Sequence, residues 1–154
     1  MNNDQPFKFN MYSGYLSVAH STRNLHYMFV ESQKDPKNDP ILVWFNGGPG
    51  CSSMLGFIQE HGPFVVENGE TKFKENKYSW NKEANVLYIE SPVGVGYSYA
   101  FLQGDYNYTD DAVARDNLYA LLDFYVWKFP EYSSNQLWIS GESYAGIYVP
   151  YLAW

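Results

Sequence analysis

The fold is decided by the stretch Leu137-Trp138-Ile139-Ser140-Gly141-Glu142-Ser143-Tyr144-Ala145-Gly146. An apolar run leads into a serine between small residues, and a helix-like segment, Tyr144 to Leu152, follows. This order predicts a strand, a tight turn and a helix, the arrangement of a nucleophile elbow that raises a serine hydroxyl above the end of a parallel sheet. Gly141 and Ala145 lie on either side of Ser143, where strand and helix approach too closely for larger side chains. Ala145 replaces the second glycine of the G-x-S-x-G pattern.

A chance pentapeptide at a strand end is the alternative interpretation, and an earlier glycine-rich loop argues against it. Ile41–Phe45 is an apolar run typical of a strand covered on both faces. It precedes Asn46-Gly47-Gly48-Pro49-Gly50, whose glycines leave backbone N–H groups unobstructed. In a hydrolase such a loop supplies an oxyanion donor, paired with the N–H of the residue after the nucleophile. A turn without a ligand is a second interpretation. Phosphate binding is disfavoured because the lysine and spacing of a P-loop are missing.

The remaining pattern predicts an α/β sheet with crossover helices. Predicted strands are Phe9–Val18, Leu25–Glu31 and Val86–Glu90, and a short helix runs from about Ser52 to Glu60 before Gly62-Pro63. A long helix is predicted from a Thr109 cap to Phe129, just before Pro130. Apolar residues at helical spacing predict its buried face: Ala114, Leu118, Leu121, Leu122, Tyr125 and Phe129.

Composition narrows the class of protein. The 154 residues suffice for one domain at most, and a net charge of −7 argues against binding to nucleic acid or an anionic membrane. No apolar run is long enough to cross a bilayer, and Met1–Pro6 contains no apolar stretch of a signal peptide. The single cysteine, Cys51, cannot form an internal disulfide, and Asn107-Tyr108-Thr109 fits the N-glycosylation pattern.

Two motifs in this chain closely resemble those of the serine carboxypeptidase family, which has the α/β-hydrolase fold. They are Asn46-Gly47-Gly48-Pro49-Gly50-Cys51-Ser52-Ser53 and Gly141-Glu142-Ser143-Tyr144-Ala145-Gly146, supported by residues 12–16 and 90–99. The resemblance implies that Ser143 is the nucleophile and that the N–H groups of Gly48 and Tyr144 form the oxyanion hole. It also implies four groups that hold the substrate's C-terminal carboxylate: Asn46, the Gly47 N–H, Glu60 and Glu142. It includes no cofactor and no metal ion.

Recognition of a carboxylate without arginine has a chemical consequence. Two glutamates beside a third carboxylate can coexist only if some of the three are protonated, because like charges at close range repel. A protonated Glu60 or Glu142 then donates a hydrogen bond to the substrate. We therefore expect peptidase activity to be favoured at acidic pH. For Glu60 alone, a solvated residue at a helix end is the alternative.

The serine still requires a base, which in α/β-hydrolases follows it in the chain order Ser, Asp, His. No Asp, Glu or His occurs between Tyr144 and Trp154, and His20, His26 and His61 all precede Ser143. The sequence thus predicts a single incomplete α/β-hydrolase domain over residues 1–154, the N-terminal portion with a mixed, mostly parallel sheet and flanking helices. The later strands and the triad Asp and His are expected in a missing C-terminal part, without which the chain should not turn over peptide.

Three functions stay open at this point. The first is a serine carboxypeptidase acting on peptide or protein C-termini through an acyl-enzyme, located, by family resemblance, in the lysosome or vacuole or secreted. The second is an acyltransferase of the same family, against which the carboxylate-binding glutamates argue. The third is a truncated, non-catalytic binding or assembly subunit, favoured if 154 residues is the natural length.

Overall fold

The computed structural model describes residues 8–66 and 73–154. The amino-terminal segment considered above as a leader lies outside the described residues. The strands are β1 Met11–Ser17, β2 Arg23–Val30, β3 Ile41–Phe45, β4 Phe64–Val65, β5 Lys74–Glu75, β6 Asn85–Ile89, β7 Tyr99–Ala100 and β8 Leu137–Gly141. The α-helices are α1 Asp110–Asp123 and α2 Ala145–Ala153. Short helical turns span Gly56–Glu60, Trp80–Lys82, Gln103–Tyr106, Phe124–Lys128 and Pro130–Tyr132.

The main sheet is mixed and has the strand order β1-β2-β6-β3-β8, with β7 beside β2. β1, β2 and β6 pair antiparallel, whereas β6, β3 and β8 run parallel. The carboxyl ends of β6, β3 and β8 therefore meet at one edge of the sheet, where the glycine loop and the predicted elbow begin. The predicted α/β class and mixed sheet are confirmed. A separate hairpin joins β4 to β5.

Continuous apolar runs form the centre of this sheet. Val43 and Phe45 of β3 and Leu87 and Ile89 of β6 have no exposed surface, as expected of strands covered on both faces. Aromatic rings from the end of the long helix pack on one side, with Phe29 4.9 Å from Phe129 and 5.1 Å from Phe124, centroid to centroid. β8 is the outer strand of the sheet, and Trp138 on it is 54% exposed.

The long helix begins and ends as predicted, but its buried face matches the prediction only in part: Leu121 and Phe129 are buried as expected. Thr109 accepts a hydrogen bond from the Ala112 amide (3.3 Å), and helical structure continues to Lys128 before Phe129. Leu118 and Leu122, predicted to be buried, are each 48% exposed. The face on the sheet carries Val113, Asp116, Asn117, Ala120, Leu121 and Phe124.

The reason for this wrong prediction is a partnered charge. Asp116 is buried because Arg23 of β2 donates to both of its carboxylate oxygens (2.8 and 3.1 Å), and a paired charge tolerates burial. Counting only apolar residues at helical spacing assigns such a charged residue to the solvent-exposed face of the helix. Leu118 and Ala114 instead line a groove with Pro150, Leu152 and Trp154 of the α2 region.

Several boundaries also shift. Residues 54–60 are helical, with Gly56–Glu60 as a π-helical turn, so this helix begins two residues after the predicted start near Ser52. Ser52 and Ser53 lie outside this helix because their hydroxyls bind the end of β6, at the Glu90 carboxylate and the Ile89 carbonyl. β1, β2 and β6 differ from their predicted ends by one or two residues. No helix in residues 8–66 and 73–154 is long and apolar enough to cross a membrane.

Candidate active site

Ser143 lies on a sharp bend between β8 and α2. Its φ of 56° is a left-handed value that residues other than glycine rarely adopt. A Cβ on Gly141 would lie 2.5 Å from the Ala145 Cβ and 2.5 Å from the Phe45 carbonyl oxygen, so strand and helix meet without space for a side chain. The predicted tight turn, and the reason for its small residues, are confirmed.

The glycine loop lies directly against this bend. A Cβ on Gly47 would lie 2.4 Å from the Tyr144 amide nitrogen and 2.7 Å from the Glu142 carbonyl oxygen. Gly48 follows with a φ of 110°, which only glycine adopts at low cost. The structure thus brings the loop and the elbow together, and the oxyanion role of the Gly48 and Tyr144 N–H groups stays a prediction.

Two serines fasten the loop to the neighbouring strand. The Ser53 hydroxyl accepts a hydrogen bond from the backbone N–H of Asn46 (3.1 Å) and donates one to the Ile89 carbonyl (2.6 Å). The Ser52 hydroxyl donates to the carboxylate of Glu90, directly after β6. The loop conformation is therefore set by β6 as well as by β3.

Glu90 is a fully buried carboxylate that sequence reasoning assigned no role. Besides Ser52, it accepts from the Tyr97 amide (2.8 Å), and its Oε2 lies 3.0 Å from Nδ1 of His26. Burial alone would raise its pKa, but the hydrogen bonds from His26, Ser52 and Tyr97 outweigh it and hold the pKa of Glu90 below its ordinary value. A carboxylate at the end of an otherwise apolar strand was the available indication of this cluster.

The predicted carboxylate-binding groups also converge. Oδ1 of the buried Asn46 accepts from Trp44 Nε1 (2.8 Å) and from the Gly56 amide (3.0 Å), which fixes the orientation of its side-chain amide. Its Nδ2 group then donates to Oε1 of Glu60 (2.9 Å) and to Oε1 of Glu142 (3.4 Å). The Gly47 N–H donates to the same Glu142 oxygen (3.3 Å). Both glutamates are exposed at the surface, whereas Asn46 is buried.

His61, the residue after Glu60, is enclosed by aromatic rings that the sequence did not group. Its ring lies 3.9 Å from Trp80 in a stacked arrangement and 4.3 Å from Trp44 edge-on, centroid to centroid. Nδ1 lies 3.1 Å from the Tyr88 hydroxyl, and the buried Nε2 has no hydrogen-bond partner among the described residues.

Burial lowers the pKa of His61 from 6.5 to about 4. Because folding depresses this pKa, the stabilisation from a neutral His61 is complete above pH 6.5 and is lost as the pH falls towards 4.

All three histidines contact residues other than Ser143. His26 bonds Glu90 and Ser13, and the ring of His20 packs edge-on to Tyr119 at 6.1 Å. Within the described part of the chain, no hydrogen bond joins a histidine to Ser143. In the same residues, no group of three or more His, Cys, Asp or Glu side chains could hold a metal ion.

Comparison with known proteins gives consistent matches. The family model described as serine carboxypeptidase matches residues 2–154. The lysosomal protective protein of Mus musculus is 54% identical over 145 residues, which cover 94% of this chain and 30% of the relative. A carboxypeptidase Y homolog of Pyrenophora tritici-repentis is 47% identical over 146 residues, covering 95% of this chain and 26% of the relative.

A solved structure matches with similar coverage. The prohormone-processing carboxypeptidase Kex1 of Saccharomyces cerevisiae superposes with a TM-score of 0.84 at 28% identity, over 97% of this chain and 34% of that protein. The chain therefore spans roughly a third or less of the length of the proteins it matches.

Proposed function

Because this chain belongs to the serine carboxypeptidase family, we propose that it is the nucleophile-bearing part of a peptidase that releases C-terminal residues through an acyl-enzyme. One observation carries the proposal. Asn46, the Gly47 N–H, Glu60 and Glu142 form a connected hydrogen-bonded group, and Glu142 immediately precedes Ser143. A site for a free carboxylate beside a nucleophile selects the last peptide bond of a chain.

The chemistry follows from the bend and the loop. The Ser143 Oγ attacks the carbonyl carbon of the last peptide bond, and a base takes the hydroxyl proton. The N–H groups of Gly48 and Tyr144 stabilise the oxyanion of the tetrahedral intermediate. The departing amine receives the proton, and water then hydrolyses the ester on Ser143. A Cβ on Gly47 would lie 2.4 Å from the Tyr144 amide nitrogen, so glycine at this position lets the loop lie this close to the elbow.

Glu60 and Glu142 make the proposed site selective for a free C-terminal carboxylate. Asn46 Nδ2 and the Gly47 N–H are donors, and a proton on Glu60 or Glu142 would add a donor for the substrate carboxylate. When both glutamates ionise, they repel that carboxylate. We expect binding to weaken as the pH rises.

We propose that the Asp and His of the triad come from chain outside residues 1–154. Two features support an incomplete domain. Within residues 8–66 and 73–154, the outer strand β8 pairs with β3 alone, and apolar residues of α1 and α2 line a groove. Residues 1–154 alone are accordingly expected to show no steady-state peptide hydrolysis.

The selectivity is tested on the full gene product that contains this chain. The substrates are a blocked dipeptide with a free C-terminal carboxylate and the same dipeptide as an amide. We expect kcat/KM to favour the free acid by about 100-fold, the order of two charge-assisted hydrogen bonds. In the Glu60→Gln, Glu142→Gln double variant, KM for the free acid should no longer rise with pH. A wild-type enzyme that cleaves acid and amide equally well would contradict the proposal.

An acyltransferase of the same fold would use an alcohol in place of water. Adding alcohol acceptors to the trapped acyl-enzyme separates the two activities, since a transferase yields ester in preference to acid. A binding or assembly subunit would show neither product. The name of the mouse relative supports a lysosomal site of action for this chain, with secretion as the alternative.

A further inference from the structure

The residue that follows Glu60 is held in a way that the proposed chemistry does not use. His61 is 6% exposed, although an imidazole is polar and titratable. Its ring is stacked on Trp80 with an interplanar angle of 14° and meets Trp44 at 80°. His61 thus forms an aromatic cluster with Trp44, Trp80 and Tyr88.

This aromatic cluster is connected to the carboxylate-binding group through Trp44. While the Trp44 ring rests edge-on against His61, its Nε1–H donates to Asn46 Oδ1 (2.8 Å). That bond directs Asn46 Nδ2 towards Glu60 (2.9 Å) and Glu142 (3.4 Å). A shift of the Trp44 ring therefore rotates the amide that holds both glutamates.

The backbone of His61 provides a second connection. Its N–H donates to the Gly56 carbonyl (3.0 Å) and closes the helical turn that carries Glu60, while its carbonyl accepts from the Trp80 amide (2.9 Å). The Gly56 amide in turn binds Asn46 Oδ1 (3.0 Å). Ring and backbone of His61 thus fix Glu60 and Asn46 relative to each other.

The ring acts in its neutral form. Nε2 is buried without a hydrogen-bond partner among the described residues, which costs more free energy for a charged imidazolium than for a neutral ring. Burial lowers the pKa of His61 to about 4. The titratable groups around it are Tyr88, bonded to Nδ1, and its neighbour Glu60, while Lys82 and Glu83 beside Trp80 pair outward with Glu75 and Lys34.

We propose that His61 is a positioning residue for carboxylate recognition, acting as a flat neutral support that holds Trp44, and through it Asn46 and Glu60, in the binding arrangement. The inference rests on the proposed function. It predicts an effect on the binding of a free C-terminal carboxylate, with no separate effect on bond cleavage.

The test uses the full gene product and the same acid and amide dipeptides. His61→Ala is expected to raise KM for the free acid about tenfold, the order of one aromatic contact, with kcat unchanged. The amide should be cleaved as in the wild type. His61→Phe, which keeps a flat ring, should restore KM for the acid to within about threefold.

The control is His20→Asn, which removes an exposed histidine while asparagine tolerates the φ of 60° found there. Thermal unfolding establishes that each variant is folded. A folded His61→Ala enzyme that loses acid and amide cleavage equally, or a folded His61→Phe enzyme as weak as His61→Ala, would overturn the positioning role. If the wild type itself shows no preference for the acid, the proposed function fails first.

Discussion

Replacing Ser143 with alanine is expected to lower kcat of the full gene product for peptide hydrolysis by about 10⁴-fold or more. The reason is that the hydroxyl forms the covalent intermediate, whereas the neighbouring amides and the carboxylate-binding groups stay in place. KM should change little. Steady-state kinetics with a free-acid dipeptide, over at least four decades of rate, measure the effect.

Ser134→Ala is the matched control, because Ser134 lies in an exposed turn just before β8. It should keep the wild-type rate. A folded Ser143→Ala enzyme with more than about a tenth of wild-type kcat would rule out the nucleophile assignment.

Gly47→Ala is expected to damage catalysis strongly, although it adds a single methyl group. Its Cβ would lie 2.4 Å from the Tyr144 amide nitrogen and 2.7 Å from the Glu142 carbonyl oxygen, and both are backbone atoms that cannot rotate away. The loop must therefore move from the elbow, which separates the two proposed oxyanion donors. Loss of one such donor lowers kcat by about 10² to 10³-fold, and we expect a loss of that order.

The same change should destabilise the fold by about 1–3 kcal/mol, the range for overpacking a tight contact. Gly146→Ala is the control: a Cβ there meets nothing within 4 Å, and alanine favours the helix α2 that contains it. Kinetics and denaturant unfolding of both variants provide the comparison. Gly47→Ala with wild-type kcat would mean that the close approach of loop and elbow is irrelevant to catalysis.

The elbow was predictable from sequence because its constraint is local. The bend leaves no space for a side chain at Gly141 or for one larger than a methyl group at Ala145, so a short pattern of small residues around Ser143 indicates the geometry directly. The same holds for Thr109, whose hydroxyl caps α1 as predicted. The prediction that Asn46 lies close to Glu60 and Glu142 came from the family resemblance.

What the sequence could not predict depends on distant partners. Asp116 is buried on α1 because Arg23, far away in the chain, neutralises it, so the apolar face containing Leu118 was wrongly assigned. Glu90 and His61 are further cases, since their environments assemble only when β2, β3 and β6 pair. The spacing of apolar residues along the sequence carries no information about such contacts between distant residues.

The proposed peptidase activity requires that the Ser143 hydroxyl, raised on the bend beside the glycine loop, is a reactive nucleophile. The most direct measurement is covalent labelling of the folded full gene product with a fluorophosphonate, followed by peptide mass spectrometry. We expect one phosphonylated residue, Ser143, and no label in Ser143→Ala. A folded, unlabelled wild-type protein, or a label on another serine, would contradict it.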